Sequence, residues 1–449
     1  MRPMHRSINA VLLGTFTLRF STGLTGAMLL YYLAQLPDFG GPQVSGSVAG
    51  LMTAAYFGAE LVLSPAFGVL SDRLGAHRIM QIGPVLGGIA VIVTALTTDL
   101  WLLGGTRWLE GMAAAASIPS ILGYIAIATS GRAEFRGKTV ARFEAATIAG
   151  LGVGAVAAGP LFEAFGRGAF FVNAGIYAAS FAIYRFAVRP LAPDPEALHE
   201  AEERPITSAE VRPSGLDLGR YRRLLATSGV WLLAPTWIAL NAIIGAWTTQ
   251  SVFQLVRENP DPRFGAQLLM GGFEPSQVSI GLAVALVVFF AGIFVWGNLF
   301  ARYRRTTIIG VGILGGLVMV GSVAAINHSA DWPFVARIGL VLVALAGLFV
   351  LAGATPAALG MLADISETHP ADRGAIMGLY SVFLGVGQIV GSVSSGAAAD
   401  WLGIDGLLVA SVGLLLVALV PLRWLRTSEH LVGMRPSASP AAADLRPAP

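Results

Sequence analysis

The chain has 449 residues, of which 55% are hydrophobic and only 12% charged, and its mean hydropathy is +0.70. Soluble domains carry about 25% charged residues, so a water-soluble globule is excluded. There is no cysteine, which removes disulfides, thiol catalysis and iron–sulfur chemistry, and the net charge of +3 is too small to point to a nucleic-acid partner.

A spanning helix needs ~20 mostly apolar residues. About twelve such runs follow one another: 8–36, 46–70, 79–97, 102–129, 139–162 and 169–188, then 225–255, 277–300, 307–326, 334–362, 375–399 and 407–424. The first run is too long for a signal-peptide core and shows no clear cleavage site, so it reads as a retained span. The expected class is an all-α membrane protein of two six-helix halves, 1–189 and 224–426. Residues 190–223, with prolines at 190, 193, 195, 205 and 213 and an acidic cluster over 194–203, cannot bury a core and read as a cytoplasmic linker. Residues 427–449, rich in Ala, Pro and Ser, read as a disordered cytoplasmic tail.

Basic residues set the orientation. Alternate connections, counted from the N-terminus, hold 22 of the 29 Lys and Arg residues, whereas the opposite side holds three, Arg167, Arg257 and Arg263. Both termini are therefore expected in the cytoplasm, with the protein multi-pass in the cell membrane.

The halves repeat one another. Gly150, Gly154, Gly159 and Glu163 align without gaps on Gly387, Gly391, Gly396 and Asp400 at a constant offset of 237 residues. Arg337 answers Arg107 at an offset of 230, and Gly297–Arg302 echoes the loop at 68–73 at an offset of 229, with Ala301 where Asp72 stands.

That loop, Gly68-Val69-Leu70-Ser71-Asp72-Arg73-Leu74-Gly75-Ala76-His77-Arg78, is a charged, glycine-punctuated hinge between two apolar runs. It resembles the loop between helices 2 and 3 of the major facilitator superfamily at Gly68, Asp72, Arg73, Gly75 and Arg78. Ser71 and Ala76 depart from the pattern. The resemblance covers nearly the whole chain and implies a secondary transporter whose two halves rock about a site at mid-membrane. It also implies that Asp72 holds a cytoplasmic gate, with Arg73 and Arg78 as partners, and that helices 1, 4, 7 and 10 line the cavity.

Charges inside spans are expensive and are usually paired or functional. Arg107 and Glu110 lie three residues apart, hence on one helix face. The run from Arg107 to Ala114 resembles the superfamily's fourth-helix motif, whose arginine is implicated in proton transfer in many proton-coupled exporters. Glu60 sits mid-span, and Arg19, midway along the first run, is its expected counter-charge, with Glu110 competing. Arg19, Glu60, Arg107 and Glu110 are thus the proton-coupling candidates; the alternative for each pair is a static structural bridge. Trp237, Asn241, Gln388 and Tyr32 are the substrate-contact candidates, with interhelical hydrogen bonds or an interfacial aromatic belt as the alternative. Gly150, Gly152, Gly154, Gly159 and Pro160 partly resemble the fifth-helix motif of exporting antiporters, although Ala155 and Leu161-Phe162-Glu163 break it.

No metal-ligand spacing, phosphate-cradling loop or nucleophilic triad is visible, and the six histidines read as loop or tail residues. No enzymatic activity, metal or cofactor is expected. The expected function is proton-coupled export of a small organic compound by a monomer, with solute uptake, or a membrane assembly or pigment-delivery role on the same fold, as alternatives. A membrane-embedded transferase would need clustered His/Asp or Asp-rich motifs, and none occurs.

Overall fold

A computed structural model describes residues 2–130, 132–191, 230–258, 261–299, 302–368 and 373–427. Among them there is no strand, and twelve long helices account for most of the chain. In the first half these are α1 (Arg2–Ala34), α2 (Gly46–Leu74), α3 (Ile82–Leu96), α4 (Leu100–Ala128), α5 (Ala133–Phe165) and α6 (Ala169–Ala182). The second half has α7 (Val230–Ala246), α8 (Pro275–Gly297), α9 (Arg305–Asn327), α10 (Phe334–Ala352), α11 (Arg373–Leu402) and α12 (Ile404–Thr427). One π-helical turn extends α6 over Ile183–Ala187; another, Trp247–Ser251, joins α7 to a last turn, Val252–Val256. The linker beyond residue 191, with Arg220, Arg222 and Arg223, lies outside the described residues, as do His199, Ala301, His369 and the tail with His430.

Helix starts are fixed by side chains that take up the first free N–H groups. Ser45 accepts from Val48 N at the head of α2, Asp99 from Leu102 N at the head of α4, and Glu274 with Gln277 forms a capping box on α8. Proline at 65, 119, 160, 235 and 421 falls inside helices. Membrane spans tolerate this because neighbouring helices can satisfy the freed backbone groups.

Boundaries differ from the sequence reading by up to six residues, α5 starting at Ala133 rather than at 139. The helix α1 starts at Arg2 rather than near Ile8, because hydropathy marks the apolar run while the helix continues into basic residues at the interface. His5 accordingly lies on a helix, its ring 4.9 Å from that of Phe135. The tenth run divides at Gly353, against which the indole of Trp296 packs, and resumes as Ala354–Thr368.

Ten stretches are long and apolar enough to cross a membrane, one of which, Phe135–Ala187, contains both α5 and α6. The helix α1 is not among them. It carries Arg19 and six serine and threonine hydroxyls, of which Thr15, Thr17, Thr22 and Thr25 each donate to the carbonyl four residues back. Outward-facing Val287, Phe294, Val335, Leu342 and Val409 are all at least 60% exposed, an apolar belt that only lipid can cover.

Apolar residues form two cores, one in each half; Val252, Phe253, Val256 and Val278 cross from the second half into the first core. The repeat glycines build equivalent contacts. A Cβ on Gly150 would press on Phe16 O and one on Gly154 would overlap Phe20 O, both on α1. In the second half, Gly387 stands likewise against Ile238 O and Gly391 against Ala242 O, both on α7. The same four-residue step recurs, so α5 lies on α1 as α11 lies on α7, backbone to backbone.

The halves meet at the end of the molecule away from the 68–78 hinge. There Gln250 Nε2 donates to Gly46 O at 2.9 Å, Thr249 Oγ1 to Thr53 Oγ1 at 3.2 Å, and Gly159 N to Ser279 Oγ at 2.9 Å. Gly50 lies against Ser392 O, and Gly396 against Gly46 O.

Candidate functional site

Among the described residues, the buried charged side chains all fall in the first half. On α4, Arg107 and Glu110 form a direct ion pair, 7% and 3% exposed. The pairing follows from their spacing, one helical turn on one face. Glu110 Oε2 takes the guanidinium, and Oε1 has no hydrogen-bond partner. Gly111 brings the α4 backbone against Tyr56 O on α2, and this close approach sets the Arg107 guanidinium 4.9 Å from the centre of the Tyr56 ring. Stacking of this kind contributes about 0.5–2 kcal/mol, more when water is excluded.

Glu60 lies one turn beyond Tyr56 on α2, half-buried. The buried Arg19 guanidinium on α1 acts electrostatically on Glu60, Tyr56 and Glu144, the last on α5. A Cβ added at Gly150 on α5 would come within 2.8 Å of the Arg19 Cβ, so the lack of a side chain there is what lets α5 pass this close to Arg19. The four charged candidates therefore fall into two linked groups, Arg107–Glu110 and Arg19–Glu60, with Tyr56 within the field of both arginines. Two members were missed by the sequence reading. Glu144 lies five residues inside the fifth apolar run, close to Lys138 and Arg142, and so resembled an interfacial charge. Tyr56 reads as an ordinary apolar span residue, and its spacing from Glu60 is the only clue to its place.

The second half carries neutral polar groups instead. Trp237 is 3% exposed and Asn241, one turn on, donates from Nδ2 to Trp237 O at 2.9 Å. Asn241 also packs on Gly387, and Gln388 lies against Gly245, so α7 and α11 hold these amides together. Gln254 Nε2 donates to Gln250 Oε1 at 3.1 Å, deeper in the contact between halves. Tyr32 lies elsewhere: its hydroxyl donates to Thr97 O at 2.9 Å, and its ring sits among Phe39, Phe162 and Phe170.

At the hinge, Gly75 adopts φ +92° between α2 and the short turn Ala76–Ile79, a conformation that favours glycine. Gly68 lies near Pro119 of α4. Asp72, Arg73 and Arg78 are exposed, and among the described residues Asp72 is paired with neither arginine. Asp72 and Arg73 are consecutive on a helix and diverge by about 100°, while Arg78 lies past the turn.

Comparison with known proteins agrees with this architecture. The family model described as Major Facilitator Superfamily matches residues 11–273 and 264–447. The chain belongs to the Major Facilitator Superfamily. It is therefore a multi-pass membrane protein of a transporter superfamily rather than an enzyme. Within the superfamily, 123 residues are 29% identical to the quinolone resistance protein NorA of Staphylococcus aureus. That match spans 27% of this chain and only 30% of NorA. Multidrug resistance protein 2 of Bacillus subtilis is 23% identical over 363 residues, 80% of this chain and 81% of that one. The fold is shared with the nucleoside transporter NupG, at a TM-score of 0.68 and 14% identity, over 94% of this chain and 99% of NupG. A bacterial homologue of the human lysosomal transporter Spinster, inward-facing and occupied, gives a TM-score of 0.68 at 12% identity, over 94% of this chain and 96% of that one.

Proposed function

We propose that this transporter exports small amphiphilic organic compounds in exchange for protons, by alternating access across the cell membrane. The observation that carries the reading is the linked set Arg19, Tyr56, Glu60, Arg107 and Glu110 on three helices of one half. A carboxylate held in a span is costly when charged, and an arginine beside it lowers that cost. Moving the arginine or admitting water changes the balance, so such a pair can take up a proton on one side and release it on the other. Glu60 and Glu110 are the proton-carrying groups in this scheme, and Arg19 and Arg107 set when they release.

The neutral wall of Trp237, Asn241 and Gln388 supplies the facing surface, suited to substrates recognised by shape and a few hydrogen bonds. Export is supported by the names of two relatives, a quinolone resistance protein and a multidrug resistance protein. The charge asymmetry of the connections supports cytoplasmic termini, a cytoplasmic hinge with Asp72 as its gate residue, and an inward-facing state for the closed end described above. The working unit in this reading is a monomer.

The test is accumulation of a fluorescent quinolone by inverted vesicles under an imposed proton gradient. Wild-type protein is expected to accumulate it, and Glu60→Gln and Glu110→Gln to lose the response to the gradient. Flux that ignores the gradient in all three removes proton coupling, and loss of dye from preloaded inverted vesicles reverses the direction.

A further inference from the structure

We infer that Glu163 and Asp400 are a matched pair of gate residues that set the balance between closed and open states at the end of the molecule away from the hinge. They occupy the same position in the two repeats, 237 residues apart, at the ends of α5 and α11. Each reaches across to the first turn of the other half's second helix. Asp400 Oδ1 accepts from Gly46 N at 2.5 Å and Oδ2 from Ser47 N at 2.9 Å, at the head of α2. Glu163 Oε2 accepts from Ser276 N at 3.2 Å, at the head of α8. The donors are repeat-related as well, since Ser47 and Ser276 stand 229 residues apart, the offset that relates the two hinges. One bond of the fold is thus written twice, once in each direction across the boundary between halves.

The first N–H groups of a helix have no partner within it, and a carboxylate there meets both those donors and the positive end of the helix dipole. The division of donors makes the contact reversible. Ser45 takes Val48 N, and the Glu274–Gln277 capping box serves α8 from within its own half. The opposite half takes only donors that these caps leave free. Parting the halves therefore returns three N–H groups and two carboxylates to water without unwinding either helix. Close approach confines the motion: Gly396 lies against Gly46 O and Gly159 against Pro275 O, so each carboxylate is delivered by a glycine one turn before it. The two arms differ in strength, because Asp400 makes two bonds and Glu163 one longer bond. Arg257, just past the last turn Val252–Val256, lies in the field of Asp400.

The inference rests on alternating access and not on proton coupling, so its test uses neither protons nor substrate. The native chain has no cysteine, and Gln43→Cys and Leu268→Cys place spin labels on exposed residues of opposite halves at the closed end. Pulsed electron–electron distance measurement on detergent- or nanodisc-held protein then reads the gate directly. Asp400→Asn is expected to shift the population roughly three- to tenfold toward the longer distance, and Glu163→Gln roughly twofold in the same direction. Both variants should elute as folded monodisperse protein with little change in melting temperature. Unchanged distances in folded Asp400→Asn and Glu163→Gln overturn the inference. Should Asp400→Asn fail to fold, the partly exposed Glu163→Gln decides alone, an unchanged distance again counting against it.

Discussion

In the first half, Arg107 lies over Tyr56 and pairs with Glu110, and Arg19 acts electrostatically on both Glu60 and Glu144; in the second half, Asn241 and Gln388 lie where α7 meets α11, and Gln250 and Gln254 lie at the contact between halves. Yet the glycine contacts of α5 on α1 and of α11 on α7 share one register. Duplication preserved the frame and not the chemistry. At the offsets that relate the repeats, Arg107 keeps its counterpart Arg337, but Glu110 faces Leu340 in the alignment, Tyr56 faces Ala285 and Glu60 faces Phe289. Arg337 is half-buried with an unpartnered Nε, while Arg107 is 7% exposed and paired. Buried charge is concentrated in one half, and the other half carries neutral polar groups at the interior positions.

The largest test of this contrast is the buried pair. Arg107→Met alone leaves Glu110 without its partner and should cost about 3–5 kcal/mol, whereas Arg107→Met with Glu110→Leu should recover most of that stability. Thermal unfolding measures the recovery, and transport should stay lost in both; recovered transport in the double variant would reduce the pair to a brace. Next come the glycines. Gly154→Ala and Gly391→Ala should destabilise by similar amounts, about 1–3 kcal/mol each, because both press a methyl into a facing carbonyl. A strong inequality in denaturation would show that the repeated contacts are not equivalent.

A contrast between halves follows at the level of function. Glu60→Gln should abolish the dependence of flux on the pH gradient, while Asn241→Ala should keep that dependence and change the apparent KM by a few-fold, as expected for a lost hydrogen bond of ~1 kcal/mol. Vesicle flux at several imposed gradients separates the two; equal effects would end the division of labour. The smallest expected effect is at the hinge. Asp72→Asn should leave the melting temperature unchanged and shift turnover by a few-fold, the scale of ~0.3–1 kcal/mol for a charge at a helix end. Unaltered turnover would take the gate role from Asp72.

Much of the frame was legible because bilayer thickness, glycine spacing and the cost of buried charge all leave marks in linear sequence. The Arg107–Glu110 pair was readable since three residues make one turn, and Arg19 and Glu60 because each is a charge in the middle of an apolar run. Glu144 was not, because proximity to Lys138 and Arg142 mimics an interfacial site. Tyr32 was read toward the cavity, but its ring packs with Phe39 and Phe170; a helix that is apolar on most faces does not declare which face meets which neighbour. The repeat alignment paired Glu163 with Asp400, yet their partners Ser276 and Ser47 lie in the other half, and no local pattern encodes that closure.

The composition of α1 has a consequence for how the protein is made. With Arg19 and several hydroxyls along it, α1 is poorly suited to rest alone in hydrocarbon, where a mid-span arginine costs about 2.5–3.5 kcal/mol on insertion scales. The groups that make it comfortable, Gly150 and Gly154 at its backbone and Glu60 and Glu144 near its guanidinium, are all synthesised later. Biogenesis must therefore hold α1 at the translocon, or in a provisional position, until α5 emerges; a ribosome stalled before α5 should leave α1 open to extraction and proteolysis. An early helix in the chain is thus among the last to find its seat.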